Sequence, residues 1–267
     1  MFSPKRLSCT LFCTTLLLSA STLLTGCSNN AVTLPAVSVT GNWQIASSAA
    51  SASRLPSISG ELTGTSAAMT GILHSDSASS CIAPTSPFDV AGSTDSTGLT
   101  TLTGNGVAGG TLTITGTLAA NGKSFSKASY NVAGGTCAFA AVATGATAQS
   151  YTPISGNYAG NFSDAGGQVI AVTAALSQSP SSDANGNFTL SGTGSFPSNP
   201  CFNSPVTVSS TQVTGGSFTF TYSDPTTQNG VVSNGTFSTD GTMLTVTNWI
   251  LSGPCGPDSG TGLLTKQ

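Results

Sequence analysis

The chain has 267 residues, room for one large domain or two ordinary ones. Only 6% of them are charged, where about 25% is usual, and the net charge is −3. That excludes a basic field for a nucleic acid and Glu/Lys-rich coiled-coil heptads. One His and nine carboxylates, a single Glu (Glu61) among them, are too few for a zinc cluster or an ordinary acid/base enzyme. Ser and Thr make up about 31% of the chain, so the surface is expected to be rich in hydroxyls rather than charges.

The chain starts with a charged stretch, Lys5 and Arg6, followed by an uncharged apolar run over 7–24. Leu24-Thr25-Gly26-Cys27 comes next. A charged start, an apolar run and small residues before the cut make a secretory signal. The last four residues resemble the lipobox of bacterial lipoproteins. That resemblance implies cleavage before Cys27 and acyl chains on Cys27, palmitate among them, as the link to the membrane. More than one chain, at about 0.8 kcal/mol per buried methylene, holds stably. The residue after Cys27 is Ser28 rather than Asp, which in such lipoproteins points to the outer membrane. Residues 1–26 are therefore expected as signal peptide and 27–38 as lipidated Cys and tether.

Seven cysteines are an odd number for an exported protein. Cys9 and Cys13 leave with the signal and Cys27 takes the lipid. Cys81, Cys137, Cys201 and Cys255 remain, in a compartment that permits disulfides. An internal duplication selects among their three pairings. Gly41-Asn42-Trp43 returns as Gly156-Asn157-Tyr158, and the segment from Gly116 to Phe125 returns from Gly235 to Leu244. Tyr130 matches Trp249, Cys81 matches Cys201, and Cys137 matches Cys255. The expected bridges are Cys81–Cys137 and Cys201–Cys255, one per copy. Each closes about 55 residues and contributes about 4 kcal/mol in the chain-entropy model.

The apolar pattern has period two. Leu112 and Ile114 alternate with Thr111, Thr113 and Thr115; Phe218, Phe220 and Tyr222 alternate with Thr219 and Thr221. This is the half-buried strand signature. Eight strands are expected in copy one, near 39–46, 58–64, 67–74, 87–93, 98–104, 109–119, 124–133 and 137–145. Eight more follow in copy two, near 156–163, 167–178, 186–196, 204–213, 216–223, 230–238, 242–251 and 259–265. Asn121-Gly122 and Asp240-Gly241 suit type I′ hairpins, and Asn105-Gly106, Asn185-Gly186 and Asn229-Gly230 are further turn signals. The fold class is thus all-β: two tandem repeats, each an antiparallel up-and-down meander, as small barrel or sandwich. The β domains are expected over 39–149 and 153–267, unfolding as separate units, with 149–155 as linker. Gly41-Asn42-Trp43 resembles the G-x-W that opens lipocalin barrels, which implies a ligand-holding barrel. A membrane-spanning barrel is not expected, since the strands lack long outward apolar faces with aromatic girdles.

Several motifs look chemical and read better as structure. Gly104-Asn-Gly106-Val-Ala-Gly109 fits G-x-G-x-x-G, but strand follows where the dinucleotide site needs a helix. Gly116-x5-Gly122-Lys123-Ser124 is one residue off a P-loop. Asp183-Ala-Asn185-Gly-Asn187 starts like a calcium loop yet has Gly194 at the twelfth place. Three Asn-x-Ser/Thr sequons, at Asn161, Asn187 and Asn234, are expected unused. His74-Ser75-Asp76 sets a His beside a hydroxyl and a carboxylate, but neighbours on a strand face opposite ways. No catalytic residue, metal or cofactor is assigned.

The expected function is that of a non-enzymatic, membrane-anchored envelope lipoprotein with a structural, adhesive or interaction role. The alternative is a small-ligand-binding, lipocalin-like barrel. The partner is unassigned: a glycan or a small apolar molecule. If the two cysteine loops of a closed meander share one end, the bridge caps that end. Binding is then expected at the hairpin end or on the outer wall.

Overall fold

The computed structural model describes residues 35–46, 56–77, 86–107, 109–135, 146–197, 199–203 and 205–267. Cys27, Cys81 and Cys137 lie outside the described residues, and with them the expected lipid site and the first bridge. All regular structure described is β-strand. The first repeat has β1 (Gly41–Ala46), β2 (Ile58–Thr65), β3 (Ala68–Ser75), β4 (Phe88–Thr94), β5 (Leu99–Val107), β6 (Gly110–Leu118), β7 (Ser124–Ala133) and β8 (Ala146–Tyr151). The second has β9 (Gly156–Asp164), β10 (Val169–Gln178), β11 (Leu190–Ser195), β12 (Val206–Thr214), β13 (Ser217–Asp224), β14 (Asn229–Phe237), β15 (Met243–Ser252) and β16 (Asp258–Lys266). Each set is an antiparallel meander, and each closes on itself, β1 on β8 and β9 on β16. Two closed eight-stranded barrels in tandem result.

The period-two pattern explains the walls. On β13, Phe218, Phe220 and Tyr222 point inward and are buried, and Thr219 and Thr221 face outward. Each barrel has its own core. Eight strands leave an interior that side chains just fill, and here rings lie over glycines of nearby strands. Phe162 stands directly opposite Gly262, and a Cβ on that glycine would come within 2.3 Å of the ring. Tyr222 lies over Gly194 in the same way, and Phe125 over Gly116. Wall glycines thus make room for rings that close off the lumen.

The odd-to-even connections of a meander share one end. In the second barrel that end carries Cys201 and Cys255, bridged with Cα atoms 5.9 Å apart. Beneath the bridge, Phe196 stacks on Phe202 at 4.4 Å and meets Tyr222 edge-on at 5.2 Å, while Trp249 stacks on Phe162 at 5.8 Å. The cap expected from the cysteine positions is present in this barrel.

The hairpin end, expected to be the less obstructed one, is closed too. The segment before each first strand crosses it and inserts one apolar residue, Val39 in the first barrel and Ile154 in the second, both wholly buried. Trp43 donates its indole N–H to the Val39 carbonyl at 2.7 Å and stacks on Phe125. Its counterpart Tyr158 donates its hydroxyl to the Gly241 carbonyl at 2.6 Å. The aromatic of the Gly-Asn-aromatic repeat thus ties down this end, Trp43 through Val39 in the first barrel and Tyr158 through the Asp240-Gly241 turn in the second.

Three local expectations change. The last strand of the first barrel is Ala146–Tyr151, not 137–145, a stretch outside the described residues. The connection to the second barrel shortens accordingly to 152–155. Asn121-Gly122 and Asp240-Gly241 do not form type I′ turns, which need positive φ at both residues. Only the glycines have it, +69° each, and their N–H groups bond back to Ala119 and Ser238. Each is an ordinary four-residue turn closed by a left-handed glycine. Asn229-Gly230, finally, is the start of β14 and not a turn.

Carboxylates hold many of the turns. Asp95 accepts from Thr97 and Leu99 N–H, Asp164 from Gln168, Asp183 from Asn185 and Asn187, and Asp224 from Asn203, Thr226 and Thr227. Hydrogen bonds from Ser238 and Thr242 hold the Asp240 carboxyl at about 2, below its ordinary value. A carboxyl depressed on folding adds stability above its unfolded value of about 3.9, and that stability drains as pH falls toward 2. Asp240→Asn should flatten this part of the stability–pH curve measured by urea unfolding at pH 2–5. An unchanged slope would mean that the turn carboxylate contributes nothing.

Candidate functional site

His74, Ser75 and Asp76 do not assemble as a catalytic group. Ser75 turns inward and donates its hydroxyl to the Ser77 carbonyl at 2.6 Å. His74 faces outward from β3 yet is only 6% exposed, because the second barrel covers it. Its Nε2 lies 2.9 Å from the Thr214 hydroxyl, and its Nδ1 has no partner. Asp76 accepts from the Gln44 amide at 2.8 Å. A relay would need the carboxylate on Nδ1 and a reachable hydroxyl on Nε2. Here the first is missing and the second is buried between barrels.

What these residues do build is a joint between the barrels. The tight turn between β12 and β13 carries Gly215 and Gly216, and it presses into the outer wall of the first barrel. Asn42, 2% exposed, grips the Gly215 peptide at both ends. Its Nδ2 donates to the Gly215 carbonyl at 2.8 Å, and its Oδ1 accepts from the Gly215 N–H at 2.8 Å. Glu61 accepts from the N–H and hydroxyl of Ser182, at 3.0 and 2.7 Å. Tyr151 meets Phe237 edge-on and donates its hydroxyl to Gln44. The only His and the only Glu of the chain both serve this contact. Their spacing, 13 residues apart from each other and more than 100 from their partners, leaves no signal in the sequence.

Open grooves lie on the outer walls. One groove of about 660 Å³ crosses β2 to β5 and is lined by Thr63, Thr70, Ile72, Ala91 and Thr103, with Glu61, Asp89 and Asn105 along one side. The sheet brings together two carboxylates that are scattered in sequence. Ile72 pairs with Glu61 on one side and with Asp89 on the other. Glu61 is already engaged by Ser182, whereas Asp89 is exposed and has no hydrogen-bond partner among the described residues. A second groove, about 710 Å³, runs over β9, β16 and β15 and is lined by Asn161, Ser163, Thr245, Thr247, Thr261 and Leu263. Hydroxyls and amides around Leu263 in the second groove suit neutral, hydroxyl-bearing molecules, whereas the first groove also carries the unpartnered Asp89 carboxylate beside Ile72. Among the described residues no three His, Cys, Asp or Glu side chains stand where they could share a metal ion.

Compared with protein-family models, curated proteins and solved structures, the chain matches none.

The joint packs the two barrels against each other through Asn42, Glu61 and His74, so whether they unfold separately, as expected from the repeat, turns on this contact. Gly215 is the point to test. It sits at φ +51°, and a Cβ there would lie 2.5 Å from the Ser59 hydroxyl and 2.9 Å from Gln44. The conformation alone costs a residue with a Cβ about 1–2 kcal/mol. Calorimetry of Gly215→Ala should split one cooperative transition into two. A single transition at the unchanged temperature would show that the joint does not couple the barrels.

Proposed function

We propose that this chain is an exported envelope lipoprotein, held at the outer membrane by acyl chains on Cys27, with a structural or adhesive rather than catalytic role. The observation that carries this reading is where the acidic side chains go. Asp95, Asp164, Asp183, Asp224 and Asp240 accept backbone or hydroxyl hydrogen bonds in turns, and Glu61 is engaged at the joint, which leaves Asp89 in the first groove as the one carboxylate without a hydrogen bond among the described residues. Acid and base groups of an enzyme have to be free to reach a substrate. Both barrels are stoppered at the hairpin end and the second is capped by its bridge at the other, which favours the outer walls as the surfaces offered to a partner.

Residues 35–40 pack across the hairpin end of the first barrel: Ser66 N–H bonds to the Val37 carbonyl, and Val39 N–H to Gly64.

A second reading, small-ligand binding, is favoured by the two wall grooves, each of a size that takes a small molecule. In this reading the ligand sits on the wall and not in the lumen.

The experiment is metabolic labelling with a palmitate analogue followed by detergent phase partition. Wild type is expected in the detergent phase with label, and Cys27→Ala without label in the aqueous phase or uncleaved. Label persisting on Cys27→Ala sinks the lipoprotein reading. A parallel binding assay on purified envelope glycans, with Ala91→Lys placed in the first groove, tests the adhesive part. Binding is expected to drop at least tenfold if that groove carries it. Equal binding of both proteins removes the groove from the account.

A further inference from the structure

We propose that Asn229 is the positioning residue for the Cys201–Cys255 bridge, and that it sets how readily the pair oxidises. Asn229 is 4% exposed at the first position of β14. Its Nδ2 donates to the Cys201 carbonyl at 2.6 Å, and its Oδ1 accepts from the Cys255 N–H at 3.0 Å. One carboxamide thus ties the backbones of both cysteines, 54 residues apart, to a third strand. The Cα separation, 5.9 Å, is the ordinary disulfide spacing. The strand itself does not ask for this residue. The aligned start of β6 is Gly110, where a Cβ would come within 2.5 Å of the Gly134 carbonyl. The first barrel builds the same strand with no side chain at that place.

The thiols of Cys201 and Cys255 lose two protons and two electrons as their Sγ–Sγ bond forms. Glutathione disulfide takes both and is cleaved to two glutathione thiols. Asn229 takes no part in the exchange. It raises the effective concentration of one thiol at the other by fixing both loops before the bond closes.

The test uses the full chain equilibrated in glutathione redox mixtures, then alkylated, with the Cys201 and Cys255 peptides quantified by mass spectrometry. Asn229→Ala is expected to lower the effective concentration of the pair about tenfold, as two hydrogen bonds of ordinary strength are lost. Asn229→Asp keeps the acceptor for Cys255 N–H but turns a carboxylate oxygen toward the Cys201 carbonyl in place of the donor, so a loss at least as large is expected, and it decides the matter if Asn229→Ala does not fold. Leu176→Ala, a core truncation toward the hairpin end, weakens the oxidised and reduced barrel alike and is expected to stay within twofold of wild type. Asn229→Ala and Asn229→Asp both within twofold of wild type, or Leu176→Ala shifting as far as they do, would overturn the proposal.

Discussion

The backbone hydrogen bonds that join the last strand of each repeat to its first are the constraint on which the structure rests. A sheet with free edges offers unpaired N–H and C=O groups to any other strand. Natural proteins blunt such edges with charged side chains, lysine above all. This chain has six lysines and arginines in 267 residues and cannot use that device. Closure does the same work without charge. Pairing β1 with β8 and β9 with β16 leaves neither barrel with an edge strand.

Closure in turn decides what fills the inside. An eight-stranded barrel has room for side chains or for one small ligand, not for both. Here Phe162, Tyr222 and Phe125 lie against Gly262, Gly194 and Gly116, so the wall gives way where a ring needs space. Val39 and Ile154 then stop the hairpin ends. The outside is left largely as threonine, serine, alanine and asparagine.

Much of this was legible in the chain itself. Strict alternation at Leu112–Ile114 and Phe218–Tyr222 placed the strands, because a strand's two faces differ whatever the tertiary context. The repeat of Cys201 and Cys255 after Cys81 and Cys137 located the second bridge. What stayed hidden depends on contacts that sequence spacing does not encode. Asn42 and Asn157 occupy the same motif, yet Asn42 alone grips a peptide 173 residues away. His74 and Glu61 look like spare chemistry until the second barrel covers them. Asn229 followed by glycine has the signature of a turn, and only the approach of two distant cysteine loops gives its carboxamide a partner. The eighth strand was misplaced because Ala146–Tyr151 alternates poorly, and its pairing is fixed by β1 and β7 rather than by its own pattern.

Native-state hydrogen exchange at the two seams tests the closed-barrel account most directly. Seam amides pair across strands in a closed barrel as they do within the sheet. The account predicts that the amides facing the seam, on β1 and β8 and on β9 and β16, are protected as well as those between β5 and β6 or β13 and β14. Seam amides that exchange like edge strands, while the central strands stay protected, would mean two open sheets and would contradict the account.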